Sequence, residues 1–401
     1  MPDAGSVLVV GAGPVGLTVA IGLRRRGIPV RIIDRAPGQA GESRALGIQA
    51  RTLEVLPEAI VADLLAAGTR IARVSLAHGG RVLGRVELSG AATEFSHILA
   101  LGQQHVERIL LAHLASLGVE VERGRTLEGL IELPDGVRAE VREAEGLLRR
   151  IDSAALIGCD GVASTVRSLA GLEGAARRDD RSWMLADVIV ESATPADEAL
   201  ISFGVGEVAA MFPLSADGAL RRIVVAPRGS GGERTEEPPE VDVEALQAVL
   251  DRVTGGSIRI VRGEWFSRFR IREHVARSFR AGRVLLAGDA AHAHSPLGAQ
   301  GMNLGMQDAV ALVDLLAPVL RGDAEWGSLD AYDAERRPLA RRIVAMTGRA
   351  TALALRPSRA WARLRSAVLR RALHVPAVRH RVRDTLLMLG REHRRHPQRV
   401  L

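Results

Sequence analysis

The sequence predicts an α/β fold: a Rossmann-like parallel sheet with helices, an inserted antiparallel β-sheet, and helices at the C-terminal end. Three observations predict it. A glycine-rich turn, GAGPVG, joins an apolar strand to an amphipathic helix close to the start. Two later apolar runs, AALIGCDG and RVLLAGD, are buried strands that end in a glycine–aspartate turn. Between them, residues 181–274 carry short alternating segments, the pattern of a sheet with one covered face.

Each element follows from its spacing. SVLVV is a short buried strand, PVGLTVAIGLRRRG is a helix that stops at Gly27, and PVRIIDR is a second strand. Together they make one right-handed βαβ unit. Glu42 to Leu65 reads as helical, and the segments between Val74 and Leu99 read as antiparallel strands. QQHVERILLAHLASLG places Val106, Ile109, Leu110 and Leu114 on one helical face. VEVERG, TLEGLIEL and VRAEVRE follow as strands. In the insert, MLADVIVES, ALISFG, EVAAMFPL and LRRIVVAP are strands, and PRGSGGERTEEPPEVD is a polar surface loop. After RVLLAG come two helices, MQDAVALVDLLAPVL and SLDAYDAERRPLARRIVAM, and then basic helices to the end. These boundaries predict a nucleotide-binding domain from 1–73, 100–180 and 275–345, a β-rich substrate domain from 74–99 and 181–274, and basic C-terminal helices over 346–401.

Composition removes several classes of function. A chain of 401 residues is long for one core and suits two intertwined domains. Only 3% is aromatic, so a flat ligand must be held mostly by aliphatic side chains and backbone. All basic residues are arginine. The net charge of +7 is interleaved with acids along most of the chain and gathers beyond Arg356, without the aromatic–basic platform that single strands need. Nucleic acid is therefore not expected. The single cysteine, Cys159, excludes an internal disulfide and points to a reducing, cytoplasmic setting. No signal-peptide pattern and no bilayer-length apolar stretch is expected, and the basic tail reads as a solvated helical cap, with a dimer surface or a membrane-surface anchor as alternatives, so a membrane partner is not expected. A monomer or a homodimer fits equally.

GAGPVG supplies Gly11, Gly13 and Gly16 in the GxGxxG spacing, with Pro14 and Val15 between them. The first glycine makes the turn, the second lets a pyrophosphate approach the helix N-terminus, and the third lets helix and strand pack closely. Asp34, at the end of the second strand, is placed to accept from ribose hydroxyls. The fingerprint does not separate NAD from FAD. Three later stretches bear on that choice. CDGVASTVR sets Asp160 after a strand and Arg167 seven residues on, AGDAAHAHSP aims Asp289 at a sugar or ribityl hydroxyl, and ESRALGI supplies Arg44 as a phosphate-capable fork.

With these motifs in order from residue 11 to about 345, the chain resembles the FAD-dependent aromatic hydroxylases, the class A flavoprotein monooxygenases with the para-hydroxybenzoate hydroxylase fold. Within them it is similar to actinobacterial polyketide and antibiotic hydroxylases. The resemblance also rests on SRALGIQARTLEVL and GQQHVERIL. It implies non-covalent FAD, with Gly11, Gly13, Pro14, Val15 and Gly16 at the pyrophosphate, Asp34 at the adenosine ribose and Arg35 beside the adenine. Arg44 and Gln103 would meet phosphate and ribityl groups, Asp289 the ribityl or phosphate end, and Asp160 both FAD and NAD(P)H. The loop Pro296, Gly298, Ala299, Gln300, Gly301, Met302 and Asn303 would run along the pyrimidine edge of the flavin, where backbone amides stabilise its anionic reduced form. The family usually carries a second glycine where this chain has Ala299. Several relatives carry a C-terminal thioredoxin-like domain, for which 401 residues leave no room.

The activity implied is NADPH- or NADH-dependent insertion of one oxygen of O2, by way of a C4a-hydroperoxyflavin, into an aromatic or polycyclic, polyketide-type substrate. Alternatives are Baeyer–Villiger or epoxide chemistry on the same scaffold, a flavin reductase or dehydrogenase, and a flavin-binding partner without turnover. Met184, Phe203, Met211, Phe212 and Pro213 are candidates to line the substrate pocket, and Arg221, Arg222 and Arg268 are the cations that could oppose an apolar one. His292 and His294 are weaker acid/base candidates with no metal-binding partners. Cys159 reads as core.

Overall fold

The computed structural model describes residues 6–39, 45–228, 243–296 and 299–390, with only the backbone described at 178–181. Its first layer is a six-stranded sheet. The strands run in the order Arg280–Ala281, Val284–Leu286, Ala155–Gly158, Val7–Val10, Val30–Asp34 and Val121–Arg123. All of its pairings are parallel except at the Arg280–Ala281 edge. The Val7–Val10, Ala155–Gly158 and Val284–Leu286 strands are buried throughout, which is why they read as continuous apolar runs rather than alternating ones.

Three helices pack together beside this sheet. The Pro14–Arg25 helix packs against both the Gln103–Ser116 helix and the long Gly301–Arg321 helix, burying Leu17, Ala20, Ile21 and Leu23. The Gly301–Arg321 helix corrects one expectation: at 21 residues and a mean hydropathy of 1.3 it is long and apolar enough to cross a membrane. Its burial gives the physical reason for that composition, since 72% of the stretch lies inside the protein. A small antiparallel meander, Thr126–Leu133, Gly136–Arg142 and Leu148–Ser153, sits beside the first sheet.

The second layer is an eight-stranded sheet. Its order is His292–Ala293, Ile258–Val275, Ala175–Ser192, Leu220–Ala226, Val208–Pro213, Glu198–Phe203, Arg73–His78 and Arg81–Glu87. All pairs are antiparallel except Arg73–His78 with Glu198–Phe203. One face is covered by the helix Val243–Thr254, whose Leu246, Val249, Leu250 and Val253 form a core with Met184, Ala186, Val188, Met211, Ile223 and Val225. This helix lies inside a stretch that reads as strand-rich, at residues to which the pattern assigns no element. The short strand His292–Ala293 belongs to this second sheet, so the Gly288–Ala293 segment crosses from one layer to the other. Three helices follow: Asp330–Ala354, Arg359–His374 and Pro376–Leu386.

Candidate functional site

The site grows from the first glycine turn. Gly11 has φ +103°, and a β-carbon there would sit 2.4 Å from the Cys159 carbonyl oxygen; one on Gly16 would sit 1.9 Å from the Gly11 carbonyl oxygen. Both positions are glycine because the neighbouring backbone leaves no room. Gly13 differs: nothing lies within 4 Å of where its β-carbon would be. Two glycines therefore serve the fold, and the third keeps open a concave approach to the helix terminus. Gly13 caps that helix with no side-chain acceptor, and Pro14 removes one donor, so the amides of Val15 and Gly16 have no helix partner.

Asp34 stands at the rim of this turn. Its carboxylate accepts from the Ala12 amide at 2.6 Å and from the Ala36 amide at 2.8 Å, and Arg123 lies 3.9 Å away. It thus ties the glycine turn to the end of its own strand, and its remaining lone pairs face outward. Arg35 is exposed beside it. Gln103 opens the Gln103–Ser116 helix and donates to Glu107 at 2.8 Å. Glu107 is a buried acid that sequence reasoning passed over. Burial raises its pKa, against hydrogen bonds from Gln103 and Gln39 and the charge of Arg123. Its place four residues after Gln103 was the signal available.

Across the strand ends sits Asp160. Its carboxylate accepts from Ser164 Oγ at 2.5 Å and the Val166 amide at 3.1 Å, which fastens the turn that starts the Thr165–Leu169 helix. Arg167 does more than close that motif. Its buried guanidinium donates to the Ala290 carbonyl at 2.9 Å and the Val162 carbonyl at 3.0 Å, and lies 3.1 Å from His274 Nε2. It therefore clamps the two Asp-bearing turns to each other and to the second sheet. His274 is driven down to about 4 by burial, with the charges of Arg167 and His292 adding to it.

Asp289 projects from the short 3-10 turn Gly288–Ala290 and is solvent-exposed at a recess walled by protein. No hydrogen bond reaches its carboxylate among the described residues. Surrounding protein desolvates it and raises its pKa, with His292 acting the other way. Accessibility and desolvation are compatible here, because an open recess admits solvent while excluding bulk dielectric. Beside it, a β-carbon on Gly301 would lie 3.9 Å from Asp289 Oδ1 and 3.8 Å from His294 Nε2. His294 donates through Nδ1 to the Ser295 carbonyl at 2.7 Å, and burial lowers it to about 4, so it is a neutral ring and no proton donor at working pH. His292 instead bonds Asp308 at 2.5 Å, and Arg336 bonds the other Asp308 oxygen at 2.6 Å. This sealed trio holds the loop; burial works to raise the Asp308 pKa, but Arg336 and His292 together bring it down.

The Gly301–Arg321 helix starts beside Asp289 with no side-chain cap, so its first amides have no helix partner. Ala299, where the resemblance anticipates glycine, adopts φ +52°, the left-handed region. Not every loop side chain faces the recess. Asn303 is fully buried: it accepts from the Gln49 amide at 2.9 Å and donates to the Gly47 carbonyl at 2.7 Å. Gln300 is buried and reaches the Thr385 carbonyl at 3.4 Å. Both side chains bracket neighbouring segments and leave only backbone for a ligand. Met302 is half-buried, and Pro296 accepts from the Ala299 amide at 2.9 Å. Arg44 and Gly298 lie outside the described residues, as does the polar loop over 229–242.

The motifs meet at Val15. A β-carbon on Gly288 would sit 2.7 Å from Val15 Cγ2, and one on Gly305 2.6 Å from the same atom. Fingerprint turn, Gly–Asp turn and loop helix thus share one point, and two helix N-termini open beside one unpartnered carboxylate. That donor set fits a molecule with a pyrophosphate and a polyhydroxyl chain: amides for the anion, Asp289 for hydroxyls.

The second sheet corrects part of the predicted pocket. Met184 and Met211 lie on the face covered by Val243–Thr254, because side chains alternate along a strand and theirs fall into that core. Phe203 turns toward the C-terminal helices, packing near Trp183 and Leu355 under the Arg365 guanidinium at 4.8 Å. Pro213 is buried at a strand end. Phe212 shares its sheet face with Phe203 but is half-buried against the core of the first domain, in one cross-strand row with Arg222, Asp187 and Trp265. Leu185, Ala210, Val224 and Ser267 form the next row on that face. Arg222 points inward, but Asp187 holds it bidentately at 2.7 Å, it reaches the Ala45 carbonyl at 3.3 Å, and it stacks on Trp265 at 5.3 Å. Arg221 is spent on the Gly218, Glu198, Thr194 and Pro195 carbonyls, and Arg268 lies against Met184.

A glycine cradle and two uncapped helix termini beside an unpartnered carboxylate suit a flavin nucleotide, and the chain belongs to the FAD binding domain family, whose model matches residues 5–347. Its cofactor is FAD. Among curated relatives, 6-methylpretetramide 4-monooxygenase of Streptomyces rimosus is 39% identical over 357 residues, which are 88% of this chain and 62% of that protein. Among solved structures, the anhydrotetracycline hydroxylase of Streptomyces rimosus superposes with a TM-score of 0.76 at 31% identity, over 96% of this chain and 76% of the other. Aklavinone-11 hydroxylase, solved with FAD and aklavinone, gives 0.75 at 25% identity, over 89% of this chain and 70% of the other. The chain thus spans about two thirds of the length of such relatives.

Proposed function

We propose that the protein is a flavin monooxygenase that places one oxygen atom of O2 on an aromatic, polycyclic substrate, with NADPH or NADH as electron source. The observation that carries this reading is Asp289, whose carboxylate has no hydrogen-bond partner among the described residues, beside two helix N-termini without side-chain caps. Bound FAD supplies the O2-activating chemistry; the chain's residues hold, orient and shield it. In this reading Gly13, Val15 and Gly16 present amides to the pyrophosphate, Asp34 serves the adenosine ribose, Gln103 meets the phosphate and ribityl portion, and Asp289 accepts from ribityl hydroxyls. The backbone of residues 299–303 supplies a positive helix terminus beside the flavin ring and stabilises negative charge there.

Phe212 and Trp265 are the half-buried apolar groups of one cross-strand row, and the cation between them, Arg222, is already matched by Asp187. A small carboxylated substrate would leave its charge poorly paired there. The relatives' names, a pretetramide monooxygenase and an anhydrotetracycline hydroxylase, support a fused-ring substrate. The test is NAD(P)H oxidation by holoenzyme presented with simple hydroxybenzoates or with tri- and tetracyclic phenols. Stimulation by the polycycles alone is expected; stimulation by the benzoates alone overturns the substrate class. Rapid flavin reoxidation without product in every case would return the reading to a reductase.

A further inference from the structure

From Arg336 to Arg383 the chain carries fourteen arginines and two histidines, and no aspartate or glutamate. Many of these arginines are exposed, among them Arg341, Arg342, Arg349, Arg363, Arg370 and Arg371. The same stretch holds Met346, Leu353, Leu364, Val368 and Val375, nearly half of the large apolar side chains exposed among the described residues. The Arg359–His374 helix shows how the two features combine. Its inner face is pinned: Leu373 packs on Gly84, and Arg365 donates to the Ala354 carbonyl at 2.6 Å and the Gly204 carbonyl at 2.8 Å. The opposite crest is therefore fixed outward. A solvated helix normally puts charge at the centre of that crest. Here the i, i+4, i+7 positions are Ala360, Leu364 and Ala367, with Val368 beside them; Arg371 ends the row at i+11, and Arg359, Arg363 and Arg370 run along one side of it. Leu364 and Val368 are each 55% exposed.

We propose that this face docks reversibly on an anionic lipid bilayer, with Leu364 and Val368 entering the headgroup boundary and the flanking arginines meeting the phosphates. The charge requires a polyanion, and the apolar crest distinguishes which one. Nucleic acid would use the arginines and leave the crest in water. A second copy related by twofold symmetry would set arginine against arginine. The crest is a convex ridge with charge spread over three successive helices, which suits a broad surface better than one acidic partner helix.

The test is co-sedimentation of the FAD-loaded protein with vesicles of phosphatidylcholine, alone or mixed with phosphatidylglycerol, at low and high salt. Binding to the mixed vesicles alone, lost at high salt, is expected. Leu364→Asp with Val368→Asp, and separately Arg363→Glu with Arg370→Glu, should each weaken it by about tenfold or more while flavin absorbance and melting temperature stay unchanged. No binding to mixed vesicles overturns the proposal. So does binding that survives the aspartate pair, which would leave only diffuse charge attraction. Capture by polyglutamate in place of vesicles would assign the face to an acidic protein instead.

Discussion

At the level of single residues, the site separates groups that hold the ligand from groups that hold the protein. No hydrogen bond reaches the Asp289 carboxylate among the described residues, so on the proposed reading Asp289→Ala removes an acceptor that the cofactor uses. A loss of about 1.5–3 kcal/mol, or roughly tenfold to a hundredfold in FAD affinity, is expected in titrations of apoprotein. Cys159→Ser should leave that affinity unchanged, because the thiol faces core and burial, with the charges of Asp160 and Asp308, keeps it protonated. Ala299 carries backbone strain, since an alanine at φ +52° costs about 1–2 kcal/mol. Ala299→Gly should raise the unfolding free energy by up to about 1 kcal/mol, the gain being reduced by glycine's larger entropy in the unfolded chain. A melting temperature unchanged or lowered by that substitution would show that the strain is relieved elsewhere.

Between residue and fold lie the elements, and here the sequence was read unevenly. The parallel strands, the fingerprint helix and the two Asp-bearing turns were legible because each has a local signature: an apolar run, a glycine spacing, an acid at a strand end. The face assignment of the insert was not. Alternation shows that Met211 and Phe212 point opposite ways, but which side the Val243–Thr254 helix covers is a tertiary fact, and that helix lay hidden in a stretch read as strand-rich. The clamping roles of Arg167 and Asn303 were also invisible, because their partners lie more than a hundred positions away in the chain. Those clamps carry a prediction. Asn303→Ala leaves the buried Gln49 amide and Gly47 carbonyl without these partners and should lower stability by about 1–3 kcal/mol per unsatisfied group, read by urea unfolding. A change within error would mean that water replaces the amide.

For the molecule as a whole, pH dependence follows from the buried histidines. His274 and His294 have folded pKa values of about 4 against an ordinary 6.5, so the fold holds them neutral. The unfolded chain binds protons first as pH falls. Their stabilising contribution is complete above about 6.5, declines between 6.5 and 4, and is gone below 4, a loss of up to about 3 kcal/mol for each ring. Urea midpoints that rise on acidification across that window would contradict this. The cofactor should also leave intact: the residues around the recess meet phosphate and hydroxyl groups, and none is placed as a covalent attachment point. Acid precipitation should release the yellow colour, and a coloured pellet would contradict non-covalent binding.

The central claim is that this recess and sheet face together direct one oxygen atom of O2 onto an aromatic ring. The most direct measurement is turnover of a polycyclic phenol by FAD-loaded protein under isotopically labelled O2 with NADPH or NADH, followed by mass spectrometry of the product. The account predicts one labelled oxygen per product molecule, formed in proportion to the nicotinamide consumed. Product whose added oxygen comes from water, or nicotinamide consumption that yields only hydrogen peroxide with every polycycle offered, would contradict it.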